Sequence, residues 1–190
     1  MSAEGLSDAT LDALFRYWNK KRNLRAMPAR RDIDPIEMGP KLLPHLMLFE
    51  LFEHGSRIRF RLIGTSLVKR LGYDPTGRLI AELPRSAYLE SLAEMLRQTY
   101  AEAAPFYAES HFRWDAKGRL DARHVLLPLT TATAAPGMVL VGATFHANEV
   151  YPPPIRVLDT VGRYTFIKRK MRRLVPPAEI VPALPAAHVA

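Results

Sequence analysis

Apolar side chains at helical spacing define the first element of the chain. Between residues 8 and 22 they recur every three or four positions: Leu11, Leu14, Phe15 and Trp18. This spacing predicts an amphipathic helix, and Ser7 or Asp8 can cap its N-terminus. Two interpretations of its apolar face stay open. It is a docking or dimerisation surface formed by Leu14, Phe15 and Trp18, or it packs on the chain's own sheet.

The pattern then changes to the period of β-strands. Residues 46–52 form an apolar run, and in residues 57–62 three apolar side chains alternate with Arg57, Arg59 and Arg61. This alternation predicts a half-buried strand that forms a hairpin with the preceding run. The three arginines form either a solvated face or a stripe that binds an anion or a partner, because guanidinium groups suit carboxylates and phosphates.

A long helix and three further strands complete the pattern. An apolar stripe predicts a helix from about Ser86 to Ala103, and Pro105 prevents its continuation. Alternating segments at residues 106–114, 123–131 and 138–146 predict three more strands. The order of helix, two strands, several helices and three strands indicates an α+β domain.

Several short motifs match one family as a set. They are Tyr17-Trp18, Pro28-Ala29-Arg30, Asp32-Ile33-Asp34-Pro35, Leu43-Pro44, the stretch 60–65 and the stretch 71–78. Over roughly residues 11–147 the chain resembles the PAS superfamily, and in particular its short stand-alone bacterial members. The resemblance implies a five-stranded antiparallel sheet with helices over one face, a small cavity, and a sensory or interaction function. The N-terminal amphipathic helix is an addition to that fold.

The resemblance also frames the question of a ligand. Five residues are candidates for the wall of the cavity: Phe60, Thr65, Tyr73, Tyr100 and Phe112. The chain has no cysteine, which excludes a flavin attached through sulfur. The long central helix has no histidine, which argues against the axial haem ligand found in some relatives. The cofactor is therefore unknown, and either a small metabolite or no ligand remains open.

The charge of the chain is concentrated near its C-terminal end. The net charge is +8, of which residues 152–190 carry +5 and residues 35–151 only +1. A proline triplet at 152–154 marks a boundary. The predicted organisation is therefore an N-terminal helix and linker at 1–34, a PAS-like domain at 35–151, and a basic, proline-bounded extension at 152–190.

The basic extension has three interpretations. Its cations include Lys168, Arg169, Lys170, Arg172 and Arg173. The segment is a solvated, disordered tail, or a helix over residues 155–174, or a strip that binds nucleic acid or an anionic membrane. In the last case binding falls steeply with salt.

Two clusters of polar residues raise the question of catalysis or metal binding. His111, His124 and His146 fall on the three C-terminal strands and could converge on one face, although isolated strand histidines are the simpler interpretation. Asp32 and Asp34 are either an acid/base pair or caps of the turn before a proline. The sequence has no nucleophile elbow or phosphate loop, and no metal site is predicted.

The resemblance to the PAS superfamily implies a non-catalytic module of bacterial signalling, and a cytoplasmic location is expected. It acts by protein–protein contact, with a homodimer as one form, and a small ligand could gate it. A separate protein partner would carry the output, because no output domain is visible in 190 residues. The alternative is binding of nucleic acid or an anionic membrane through the basic extension.

Overall fold

The computed structural model describes residues 6–113, 119–131, 136–147 and 165–176. The helices within these ranges are α1 (Ala9–Arg22), α2 (Pro35–Leu42), α3 (Thr65–Leu71) and α4 (Ala87–Glu102). The strands are β1 (Leu46–Phe52), β2 (Arg57–Ile63), β3 (Phe106–Arg113), β4 (Arg119–Thr130), β5 (Pro136–Ala147) and β6 (Thr165–Arg173). No helix in these ranges has both the length and the apolar character needed to cross a bilayer.

The strands form one antiparallel sheet in the order β2-β1-β5-β4-β3-β6. The α+β class and the antiparallel sheet are therefore confirmed. The sheet has a sixth strand, because β6 comes from the basic extension and pairs with β3. The helical interpretation of residues 155–174 is wrong for residues 165–173, where side chains alternate between the two faces. Residues 155–164 lie outside the described ranges.

Helices cover both faces of the sheet. The face under α3 and α4, which we call the inner face, includes Phe49, Phe60 and Phe112. The opposite face, the outer face, includes Leu48 and Val125 and packs against α1 and α2. The resemblance accounts for the helices on the inner face, and α1 adds a second layer on the outer face.

Helix α1 packs on the chain's own sheet. Leu11, Leu14 and Trp18 are almost completely buried, and the Trp18 indole N–H donates a hydrogen bond to the Pro128 carbonyl at 2.9 Å. Gly142 of β5 lies under Leu11 and Leu14, where it leaves room for the helix. The structure thus favours self-packing over docking for this face, because the apolar stripe is already covered; Phe15 is half-buried beside it.

Local signals set the helix boundaries. Asp34 caps α2 by accepting a hydrogen bond from the Ile36 N–H at 2.8 Å, and Pro35 is the first residue of that helix. Ser86 caps α4 in the same manner, through the Leu89 N–H. Gly72 ends α3 with a φ of 80°, which suits glycine. The predicted helix from about Ser86 to Ala103 is confirmed, since α4 spans Ala87–Glu102.

Candidate functional site

A cleft of about 450 Å³ lies beside α4, between that helix and the edge of β2. Its wall comes from three separate parts of the chain: residues 56–58, residues 79–86, and one side of α4 from Leu89 to Arg97. The volume is in the range of small-molecule sites in proteins. Because its residues are far apart in sequence, only the folded chain assembles this cleft.

The cleft combines an apolar floor with a charged rim. Ile58, Leu83 and Leu89 are buried at its floor. At the rim, Arg85 and Arg97 make no hydrogen bond or ion pair to any residue in the described ranges. Guanidinium groups in this state suit a carboxylate or a phosphate. The cleft therefore fits a ligand with an apolar body and an anionic end.

Glu94 connects the cleft to β6. Its carboxylate lines the cleft and accepts a hydrogen bond from Arg169 Nη2 at 2.9 Å. Nη1 of the same guanidinium donates to the carbonyl of Ser91 at 3.0 Å and lies 3.1 Å from the Ser91 hydroxyl. One arginine of β6 thus joins that strand to the helix that forms the wall of the cleft.

The five residues predicted to line the cavity lie elsewhere. Phe60 and Phe112 are fully buried on the inner face, and Tyr73 and Tyr100 pack half-buried against the same core. Thr65 is exposed at the first residue of α3. None of the five lines the 450 Å³ cleft. A ligand role for them stays a prediction.

A buried polar pair lies on the inner face. The Tyr88 hydroxyl is 3.1 Å from Nε2 of His124, and both side chains are buried. Burial, with a smaller contribution from the charge of Arg169, lowers the pKa of His124 to about 3. Burial also raises the pKa of Tyr88 above its ordinary value. Both groups are therefore neutral at physiological pH.

The three strand histidines do not converge. His111 and His146 lie in one row across the outer face, on either side of Asp121, and His111 Nδ1 is 2.6 Å from Asp121 Oδ1. His124 is three residues beyond Asp121 on β4, so it points to the inner face. The alternative in which all three histidines converge on one face is therefore wrong, because His124 lies on the opposite face from the other two. Within the described ranges no group of three acidic, histidine or cysteine side chains could hold a metal ion.

Asp32 and Asp34 act as turn caps in the structure. Asp32 accepts hydrogen bonds from the Ala29 N–H at 2.9 Å and from Arg25 at 2.7 Å. The first of these bonds is the main reason why the pKa of Asp32 is lowered. Asp34 caps α2 as described. Because Asp32 and Asp34 serve the local backbone, the structure favours the capping interpretation.

The arginine ladder of β2 faces carboxylates. Arg57 forms an ion pair with Glu53 at 3.1 Å, and Arg59 and Arg61 lie 4.0 and 3.8 Å from Glu50. All of these groups are partly exposed to solvent, so the pairs contribute little to stability. The stripe is nevertheless largely neutralised by its neighbours, which reduces its attraction for an external anion.

The cations of β6 divide between the two faces of the sheet. Arg169 faces α4, whereas Lys168, Lys170 and Arg172 lie on the outer face. The Arg172 guanidinium lies over the ring of Tyr107, 5.4 Å from its centroid. The sequence placed these cations in one cluster, and the strand separates them because its side chains alternate.

Comparison with known proteins places this geometry in a family. A family model described as a PAS domain matches residues 6–143, which cover α1 to α4 and β1 to most of β5. No curated protein and no solved structure matches the chain. The strand β6 lies beyond the matched residues.

Proposed function

This chain belongs to the PAS domain family, and on that basis we propose that it is a non-catalytic regulatory module of bacterial signalling. It acts by contact with a protein partner that carries the output. A small molecule in the cleft beside α4 gates that contact. The ligand and the partner bind at different surfaces of the domain.

The position of Glu94 is the observation that carries the proposal. This carboxylate borders the cleft on one side and binds Arg169 of β6 on the other. A ligand that bears an anionic end repels Glu94 or competes with it for Arg169. Occupancy of the cleft therefore changes how firmly α4 holds β6, and the partner responds to the resulting shift between two packings of the strand.

The polar groups of the chain support a non-catalytic function. Asp32 and Asp34 cap turns, and His124 is buried and paired with Tyr88. None of these groups lines the cleft. Arginines and apolar side chains make up most of the cleft wall, beside the carboxylates of Glu90 and Glu94, and such a lining suits the binding of a small molecule.

The experiment is a pull-down with the intact chain, followed by an assay of the captured partner's activity. Ala81→Trp fills the cleft, because Ala81 is exposed and lines it. Ala101→Trp is the matched control, since Ala101 is exposed on α4 outside the cleft. We expect only Ala81→Trp to change the partner's response. The proposal fails if no captured protein changes activity with this domain, or if both variants behave as the original chain does.

The binding of nucleic acid or an anionic membrane is the second candidate, and the outer-face cations of β6 favour it. Lys168, Lys170 and Arg172 are exposed. Such binding would weaken steeply between low and moderate salt, because each phosphate contact releases a counterion. Filter binding with a single-stranded oligonucleotide and sedimentation with phosphatidylserine vesicles over a salt series test this candidate. A lack of salt dependence would contradict it.

A further inference from the structure

The strand β6 lies at the edge of the sheet and is well anchored there. It pairs with β3 over eight positions, and in the described ranges no strand pairs with its other side. A strand in this position presents backbone N–H and C=O groups in the geometry that another strand requires. The edge is therefore a template for an extended peptide.

Contacts on the inner face keep this edge in place. Arg169 binds Ser91 and Glu94 of α4, and Met171 packs against the inner core. After the strand, the Leu174 N–H donates to the Pro105 carbonyl at 2.8 Å, and the Leu174 side chain is buried. Because the strand is anchored before a partner arrives, a partner loses less free energy in ordering it.

The outer face of the strand determines which peptide fits. Lys168, Lys170 and Arg172 stand at alternate positions, about 6.8 Å apart along the strand. Lys168 and Lys170 make no hydrogen bond or ion pair with any residue in the described ranges. A peptide paired with the open edge places its own alternate side chains next to these cations. Acidic side chains at those positions are complementary to them.

A second copy of this chain fits this edge poorly. Pairing of two β6 edges sets lysine and arginine side chains beside each other, and like charges on neighbouring strands destabilise a sheet. Basic residues on an edge strand are a common means of preventing such self-association.

A membrane makes less use of this edge than a peptide does. Anionic head groups can attract the cations, and Phe166 and Ile167 beside them are exposed, but a bilayer offers no strand that pairs with the backbone groups of the edge. Nucleic acid can use the cations but offers no strand to pair with the backbone edge.

We propose that the open edge of β6 binds an extended segment of a partner protein that carries acidic residues at alternate positions. The segment extends the sheet beyond β6 by backbone hydrogen bonds, and its acidic side chains pair with Lys168, Lys170 and Arg172. This inference rests on the proposed function, since it names the chemistry of the partner's contact.

The test uses the full chain and synthetic peptides that alternate threonine and glutamate. The first control peptide has the same composition with its glutamates in one block. The second has the alternating order with N-methyl groups on alternate backbone amides. Hydrogen exchange measured by mass spectrometry reports protection of β6, and isothermal titration reports affinity. We expect only the unmodified alternating peptide to bind and to slow exchange in residues 165–173.

Charge reversal separates this site from general attraction. Lys168→Glu with Lys170→Glu should weaken peptide binding by about tenfold or more, as attraction is replaced by repulsion. The matched control is Lys41→Glu with Lys69→Glu, at two exposed lysines on α2 and α3 that make no ion pair with a described residue. This control has the same net charge as Lys168→Glu with Lys170→Glu, and it should bind the alternating peptide as tightly as the original chain does. Circular dichroism checks that both variants fold.

Three results of the peptide experiments overturn the inference. They are equal binding of the block or N-methylated peptide, no binding of the alternating peptide, and protection of β6 by an oligonucleotide or phosphatidylserine vesicle in place of the peptide. If a regulated partner is still captured, and its capture survives Lys168→Glu with Lys170→Glu, the inference fails while the proposed function stands. The proposed function fails separately when no regulated partner exists.

Discussion

The hydroxyl of Tyr88 and Nε2 of His124 meet at 3.1 Å between α4 and the inner face of the sheet. Phe112 and Phe145 surround the pair, with ring centroids 5.7–6.0 Å from that of Tyr88. A neutral imidazole satisfies the buried hydroxyl, whereas an imidazolium would carry an unpaired charge in an apolar core. The pair therefore makes the stability of the domain sensitive to acid.

The first prediction concerns this acid sensitivity. The pKa of His124 is about 3 in the folded chain and near 6.5 in the unfolded chain. Between these values the unfolded state binds more protons, so this contribution to stability is complete above pH 6.5 and declines as the pH falls. The decline is at most about 1.4 kcal/mol per pH unit. Tyr88→Phe with His124→Leu removes this titration.

Urea unfolding between pH 7.5 and 4.5 checks this prediction. As the pH falls, the unfolding free energy of the original chain should decrease more than that of the double variant. His54→Asn is the control, because His54 is exposed at a positive φ that asparagine tolerates. Parallel profiles for the original chain and the double variant would show that His124 is not held neutral by the fold.

The second prediction concerns the anchoring of β6. Arg169→Met removes the hydrogen bonds to Ser91 and Glu94, and we expect amide exchange in residues 165–173 to become about tenfold faster. The exchange rate in Arg169→Lys should lie between those of the original chain and Arg169→Met, because one ammonium group cannot bind both Ser91 and Glu94 as the guanidinium does. Arg173→Met is the matched control, on the same strand and exposed. Equal exchange in all variants would show that backbone pairing alone holds the strand.

The third prediction compares two glycines. A Cβ on Gly64 would clash with the backbone oxygens of Leu43 and Pro44, which cannot move independently. A Cβ on Gly142 would instead meet the side chains of Leu14 and Leu11 at 2.7 and 3.0 Å, and these can adjust. Gly64→Ala should therefore cost about 3 kcal/mol or more, and Gly142→Ala about 1–2 kcal/mol. Chemical denaturation measures both, and the reverse order would contradict the argument.

The fourth prediction concerns Asp8, which caps α1 and joins it to β5. Its carboxylate accepts hydrogen bonds from the Thr10 and Leu11 N–H groups, and from the Thr144 hydroxyl at 2.6 Å. Asp8→Ala should lower the unfolding free energy by about 1–3 kcal/mol. Thr144→Val should cost less, because it removes only the link to the strand. Thermal unfolding of the two variants compares these costs, and an equal loss in both would argue against the capping contribution.

The same carboxylate adds a separate dependence on pH. Burial by itself would raise the pKa of Asp8, but the hydrogen bonds from Thr144 and the helix backbone outweigh it, so the folded pKa lies below 3.8. This contribution is present above pH 3.8 and is lost as the pH falls through the folded pKa. In the original chain the loss should therefore begin at lower pH than that of His124, and it should be absent in Asp8→Ala.

The boundaries of α4 and α2 could be predicted from the sequence because their determinants are local. A serine or aspartate cap acts over three residues. A proline is tolerated in the first turn of a helix, as at Pro35, but it prevents a helix from continuing past a position such as Pro105. The alternation of arginine and apolar side chains in β2 predicted that strand in an equally local way. The interpretation of Asp34 as a cap before Pro35 also depended on neighbouring residues alone, and the structure contains that hydrogen bond.

The secondary structure of residues 165–173 could not be predicted in this way. A basic segment with an apolar residue at every few positions fits a tail, a helix or a strand about equally well. The strand forms because β3 offers a free edge and Ser91 and Glu94 accept Arg169. The paired residues of β3 lie 52–67 positions away in the sequence, and Ser91 and Glu94 lie 78 and 75 positions from Arg169, so no local pattern reports them.

By itself, the sequence determined the family, the α+β class and the ends of the main helices, because short-range hydrogen bonding and side-chain periodicity encode them. The tertiary structure alone decided that Trp18 packs on the outer face of the sheet. It also decided that His124 is buried on the inner face, whereas His111 and His146 lie on the outer face. Only the fold brings Arg85, Arg97 and Glu94 together at one cleft. Each of these depends on the side of the sheet to which a residue points and on which distant segment packs there. Burial and charge pairing are properties of that arrangement, and they exist only once the chain has folded.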